Sequence, residues 1–228
     1  MQFITKGHTS CTRHSRPPVA MKLLYVALVL AFGFSGSDIT AQVAAKPQAA
    51  LKTFVSRDGF FRFKYPAEFI VCRKNTSEAA CLTYLPICDD NAAACVAYPT
   101  AHYEGSNFEG AAFSVNELAQ EKTGSECLAS MPPPVHMESV NGVKFQAGHQ
   151  SNAGMGHGLY EDSYRTFHTG QCFELDIRVA TASMGGYPPG AIKEFTQEDE
   201  RRVKAALAKV MSSFKFSKSV KDPTEPLP

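Results

Sequence analysis

The chain of 228 residues contains no tryptophan, and no stretch carries a specific catalytic, nucleotide-binding or metal-binding signature. There is no H-E-x-x-H and no paired C-x-x-C, so the recurrent zinc arrangements are excluded. Three glycines fall within Gly154–Gly158, but they lack the Lys-Ser/Thr ending and following helix of a phosphate loop, and a strand pattern follows instead. No cluster of Lys and Arg gives the electrostatic footprint of a nucleic-acid-binding protein, and no basic amphipathic helix suited to a membrane surface is present. No apolar run approaches the roughly 20 residues that span a bilayer core. Repeats and a second composition regime are also missing.

What is present begins at Met21. Lys22 is followed by an unbroken apolar run over residues 23–32, then by small residues and an Ala-rich stretch over 41–50. This is the charged, apolar and cleavage-zone order of a secretory signal peptide over residues 21–45, with Ala41 and Ala45 as cleavage points. No cysteine follows the apolar run, which argues against a lipid anchor. Residues 1–20 are long and polar for the start of such a segment, and translation from Met21 is the simpler account. The expected product is one domain over residues 46–220 with a disordered tail at 221–228. It would be periplasmic or extracellular, with no stable membrane insertion after cleavage.

Loss of residues 1–45 removes Cys11 and leaves Cys72, Cys81, Cys88, Cys95, Cys127 and Cys172. It also takes Lys plus Arg from 23 to 19 and Asp plus Glu from 22 to 21, a net charge of −2. Six cysteines in an exported chain read as three disulfides, each contributing about 2–4 kcal/mol. Six allow many connectivities; near-neighbour pairing in the crowded 72–95 segment, with Cys127–Cys172 as the long-range link, is the expectation.

Two hairpins stand out. Runs 52–57 and 60–65 flank Asp58-Gly59, which favours a type I′ turn and sets Phe54 opposite Phe63 and Ser56 opposite Phe61, with Arg62 and Lys64 pointing away. Residues 159–168 and 171–179 flank Thr169-Gly170. That register places Arg165 against Glu174, Glu161 against Arg178, Tyr160 against Val179 and Tyr164 against Leu175; a one-residue slip would scramble all four. A strand at 111–117, a helical turn at 125–130, a stiff Met131-Pro132-Pro133-Pro134 connector and a further hairpin at Asn141-Gly142 are expected. Residues 73–101 show no periodicity and read as braced loop. Thr196 caps a helix with Glu198, Asp199 and Glu200 in its first turn and an apolar stripe of Val203, Ala206, Leu207, Val210 and Phe214.

Asp58-Gly59-Phe60 running into Phe63-Lys64-Tyr65-Pro66 resembles the opening G-F-x-F-x-Y-P hairpin of PsbP-like proteins. The 164–175 hairpin and the ending Val210-Met211-Ser212-Ser213-Phe214-Lys215-Phe216 are similar to that family's later hairpin and closing segment. The resemblance, over residues 54–216, implies an α+β fold in which an antiparallel sheet is flanked by helices as an α-β-α sandwich. It implies no activity, since fold does not decide function; members of that family mostly serve as assembly, binding or stabilising factors. The six-cysteine excursion, and Phe69 where tryptophan is frequent, depart from the photosystem subunit of that family and argue against transferring its role.

His102, His136, His149, His157 and His168 lack metal-ligand spacing, and a structural or surface role is the simpler reading, so no metal and no cofactor is expected. Asp89-Asp90-Asn91 lacks the spacing of a calcium loop, and Asn75-Thr76-Ser77 is a glycosylation sequon. Paired cysteines leave no thiol for a Cys-His nucleophile. Asp162 breaks the local logic: it falls between Tyr160 and Tyr164 on the apolar face of its hairpin, opposite Ile177, where a carboxylate needs a partner or a cleft. Asp162, Tyr160, Tyr164 and His157 form the candidate ligand-binding set. The leading expectation is an exported non-enzymatic binding or accessory domain for an unknown protein or small-molecule partner. The alternatives are an envelope hydrolase or lyase using Asp162 with His149 or His157, and a secreted inhibitor or toxin-neutralising protein making contact through the stapled 72–95 loop, which an exposed apolar patch there would favour.

Overall fold

The computed structural model describes residues 50–73, 77–129 and 131–217. The signal-peptide and tail readings, and Asn75 and Thr76 of the sequon, therefore fall on residues outside the described ones. The strands and helices are β1 (Leu51–Val55), β2 (Phe61–Pro66), β3 (Ile70–Val71), β4 (Ala94–Ala97), β5 (Phe108–Glu117), α1 (Gly124–Ala129), β6 (Val135–Val140), β7 (Val143–Gly154), β8 (His157–His168), β9 (Gln171–Ala182), α2 (Gln197–Ser212) and β10 (Lys215–Phe216).

Three turns organise the larger sheet. Asn141-Gly142 (φ 49° and 83°), Met155-Gly156 (52° and 82°) and Thr169-Gly170 (47° and 84°) each place two consecutive residues at positive φ. That is the type I′ geometry whose twist matches the flanking strands. They join β6, β7, β8 and β9 into one antiparallel run, and the seven-stranded sheet is ordered β3-β4-β5-β9-β8-β7-β6. The β8–β9 register pairs Tyr160 with Val179, Glu161 with Arg178, Tyr164 with Leu175 and Arg165 with Glu174, as the hairpin reading requires. The glycines at 154–158 lie in the ends of β7 and β8 and in the tight turn between them.

A second sheet is ordered β1-β2-β10. Phe54 pairs with Phe63, but the intervening turn is not type I′. Gly59 alone has positive φ there (73°), and its N–H donates to the Ser56 carbonyl at 2.9 Å. Asp58 is held otherwise: its carboxylate accepts from Ser56 Oγ at 2.7 Å and Phe60 N at 3.0 Å. A side-chain-capped turn of this kind spares Asp58 the left-handed conformation.

The main core lies between this small sheet, α2 and one face of the large sheet. It contains Phe61, Phe63, Phe113, Val115, Phe145, Phe173, Leu175, Ile177, Val179, Val203, Leu207, Val210 and Phe214. Each large side chain so buried stabilises by about 1.5–3 kcal/mol. α2 starts with a capping box in which Thr196 and Asp199 satisfy each other's backbone N–H. Phe214, read as part of the helical stripe, lies just past the helix and is buried before β10.

The cysteines pair as Cys72–Cys81, Cys88–Cys95 and Cys127–Cys172. The 73–101 segment is not wholly loop: β4, buried at all four positions, pairs with β5, its run too short to show alternation. The stapled segment packs on the other face of the large sheet through Ala80, Ile87, Cys95, Ala97, Ala112 and Ala180. Gly110 permits this approach, since a Cβ there would lie 2.6 Å from Thr83 Cγ2 and 3.2 Å from Ile87 Cδ1. Helix α1 is tied to β9 on that same face by Cys127–Cys172.

Candidate functional site

Alternation along β8 sends Tyr160, Asp162 and Tyr164 toward α2 and His157 to the opposite face. The four predicted residues are therefore not brought together. Asp162 meets His149 of β7, its register partner, with Nδ1 and Oδ1 2.7 Å apart. Its second oxygen lies 3.6 Å from Lys204 Nζ on α2, and Lys204 in turn lies 3.1 Å from Glu200 and 5.7 Å from the Tyr160 ring centroid. Burial, then the charges of Glu138 and Asp162, push the Tyr164 hydroxyl up to about 12. The His149 side chain is 54% exposed, so this group forms an open ridge beside α2 and Asp162 is satisfied by neighbours.

His157 belongs to a different constellation. Its Nδ1 lies 2.8 Å from Glu109 Oε1, and its ring stacks on Tyr84 of the stapled segment at 3.9 Å between centroids. Tyr84 OH reaches Met155 Sδ at 3.6 Å. Tyr84 is 56% and Met155 87% exposed; Leu82, two residues before Tyr84, is 63% exposed, and Met184 and Tyr187, on the segment after β9, are exposed as well. Ser183 N–H donates to the Gly156 carbonyl at 2.6 Å, which holds the segment carrying Met184 against the Met155-Gly156 turn. The result is an apolar tip at one end of the large sheet, built on the stapled loop.

Between the stapled segment and α1, the same sheet face carries a buried polar network that the sequence reading did not anticipate. Arg178 contacts Glu161 at 2.6 Å, Asp89 at 2.8 Å and Asp176 at 3.4 Å, and Arg165 contacts Glu174 at 2.6 Å. Gln150 donates to Glu161. Asn116 Nδ2 donates to Asp89 Oδ2 at 2.9 Å and to Asp176 Oδ2 at 2.8 Å, and Ser163 Oγ lies 2.7 Å from Asp176 Oδ1. Asp176 is fully buried. Burial, reinforced by the charge of Glu174, outweighs the opposing charge of Arg178 and raises its carboxyl to about 8. Ser163 Oγ donates to Oδ1, while Oδ2 accepts from Asn116 and Arg178. Asp176 is out of solvent while the Asp89 side chain is 43% exposed, and through Asp89 the network clamps the stapled segment to β8 and β9. The signal available was the alternation of Glu174, Asp176 and Arg178 with Phe173, Leu175 and Ile177, a pattern that by itself reads as a solvated face.

Among the described residues these layers make a sheet-rich α+β fold with two antiparallel sheets, two α-helices and three disulfides. No family model matches the chain, and no curated protein matches it. Among solved structures it is similar to cyanobacterial PsbP from Synechocystis sp. PCC 6803, with TM-score 0.41, 11% identity, and 78% of this chain and 99% of that chain covered. It is also similar to a Bacteroides thetaiotaomicron VPI-5482 protein (TM-score 0.39, 12% identity), covering 74% of this chain but only 49%, about half, of that one. A third similar structure is LpqN of Mycobacterium tuberculosis, involved in cell envelope biogenesis, with TM-score 0.28, 11% identity, and coverage of 76% and 87%. The neighbours thus include a PsbP, the family that the opening hairpin and closing segment resemble.

Proposed function

We propose that this chain is an exported, non-enzymatic binding domain, an α-β-α sandwich of the PsbP-like kind, that engages a protein partner through its apolar tip. The observation that carries this reading is the exposure of Leu82 (63%), Tyr84 (56%) and Met155 (87%) around one stapled loop. Grouped apolar side chains facing water mark interaction sites, and Tyr and Met are enriched in interface cores. Two disulfides brace the loop, so less conformational entropy is lost on association. Three disulfides fit an oxidising compartment, consistent with the signal-peptide pattern of residues 21–45. The test is photo-crosslinking in the producing cell, with a benzophenone side chain at Tyr84 and, as control, at Arg201 on the exposed side of α2. A discrete adduct from position 84 and none from 201 is expected. No adduct from 84, or equal adducts from both, refutes the assignment.

A further inference from the structure

The two staples of the 72–95 segment are not independent. The Sγ atoms of Cys72, Cys88 and Cys95, drawn from both disulfides, all lie within 4.8 Å of one another. Cys72 and Cys88 are only partly buried, whereas Cys127 and Cys172 are fully buried. The backbone adds a direction. Strands β3 and β4 pair Ile70 with Ala97 and Val71 with Val96, and the next pair in that register is Cys72 with Cys95, whose N–H and carbonyl meet at 2.9 Å. Opposed residues of a hydrogen-bonded antiparallel pair have Cα atoms about 5.5 Å apart, inside the range of roughly 4.4–6.8 Å that a disulfide bridges. The sheet therefore holds Cys72 and Cys95 ready for a bond that the native pairing does not use.

We propose that the paired staples form a thiol–disulfide exchange site, with Cys72 as its hub and an exported dithiol as its reaction partner. A thiolate of the dithiol attacks Cys81 Sγ, forming a mixed disulfide and releasing the Cys72 thiolate. Cys72 attacks Cys95 Sγ; the Cys72–Cys95 bond forms, the Cys88–Cys95 bond breaks, and Cys88 leaves as a thiolate that takes up a proton. The second thiol of the dithiol then attacks its own sulfur in the mixed disulfide, so that Cys81 leaves as a thiol and the partner leaves oxidised. The balance is two electrons from the dithiol, one protein disulfide lost and two protein thiols gained. The surviving bond is Cys72–Cys95, and the segment carrying Leu82 and Tyr84 is freed at both ends. Attack by the released thiol on a neighbouring disulfide is favoured here by proximity alone, since exchange needs only access and a thiolate.

The exchange can be tested without identifying the cellular partner. Cys81→Ser frees the Cys72 thiol and Cys88→Ser frees the Cys95 thiol. Each folded variant is incubated at mildly alkaline pH, quenched in acid, alkylated and mapped by mass spectrometry. Both variants are expected to converge on a Cys72–Cys95 peptide, with the free thiol moved to Cys88 in the first and to Cys81 in the second. Retention of the thiol on Cys72 and on Cys95, with the remaining bonds intact, overturns the proposal. Pairings that draw in Cys127 or Cys172 also overturn it, because they report reshuffling through unfolding. The unsubstituted protein treated with limiting dithiothreitol gives an independent reading. The two-thiol species should carry its thiols on Cys81 and Cys88, whereas thiols on Cys72 and Cys81 would mean simple loss of one staple.

Discussion

Replacing Asp176 by asparagine removes an ionisable group while keeping the shape and hydrogen bonds of the neutral acid. The new amide donates from Nδ2 to Ser163 Oγ, and its oxygen accepts from Asn116 and Arg178, the partners that surround Asp176 in the native network. In the folded protein burial raises the Asp176 carboxyl to about 8, against about 4 in an unfolded chain. Between those values the native state keeps a proton that the unfolded state has released. The neutral acid's contribution is therefore complete below about pH 4 and is lost as the pH rises toward 8, at about 1.4 kcal/mol per pH unit. From pH 5 to pH 7 the unsubstituted protein should lose about 3 kcal/mol relative to Asp176→Asn. Groups common to both proteins, including the histidines, cancel in that difference. The assay is urea unfolding at constant ionic strength from pH 5 to 8, followed by far-UV circular dichroism because the chain has no tryptophan. Parallel stability curves for the two proteins would refute the reasoning, since they would mean that Asp176 is ionised in the fold and that Arg178 outweighs burial.

Two further outcomes follow from the chain constraints. Joint replacement of Cys127 and Cys172 by alanine opens a link of sequence separation 45 and should cost about 4 kcal/mol in the same unfolding assay; a loss below a tenth of that would contradict the chain-entropy account. Gly170→Ala puts a Cβ at φ 84° where nothing lies within 4 Å of it, so backbone strain acts alone and a loss of about 1–2 kcal/mol is expected. Unchanged thermal stability would argue against that turn geometry.

Much of the fold was legible because it is written in local pattern. Thr169-Gly170 between alternating runs fixed the β8–β9 register through four coincident pairs, and Thr196 with the acids after it located α2. Other elements carried no local mark. β4 is four consecutive buried residues, and only pairing with β5 makes them a strand. Met155-Gly156 forms a type I′ turn with a non-glycine at positive φ, which the neighbouring hairpin geometry sustains and composition does not announce. The candidate site was divided for a simple reason: strand side chains alternate, so Asp162 and His157, five positions apart on β8, face opposite sides. Asp162 found His149 and Lys204, and His157 found Glu109 and Tyr84, across contacts that the sequence does not order.

By itself the sequence determined the secretory pattern, the six cysteines left after residues 1–45, the two best hairpins and the aromatic face, because each depends on composition, spacing or the two-residue period of a strand. Only the tertiary structure decided what covers the other face. The alternation of Glu174, Asp176 and Arg178 looks the same whether water or protein lies above it. It is the stapled segment and α1, brought over the sheet by Cys88–Cys95 and Cys127–Cys172, that remove water, bury Asp176 and bring three sulfurs of two disulfides into one cluster. Burial is a property of the layers together, and no single strand encodes it.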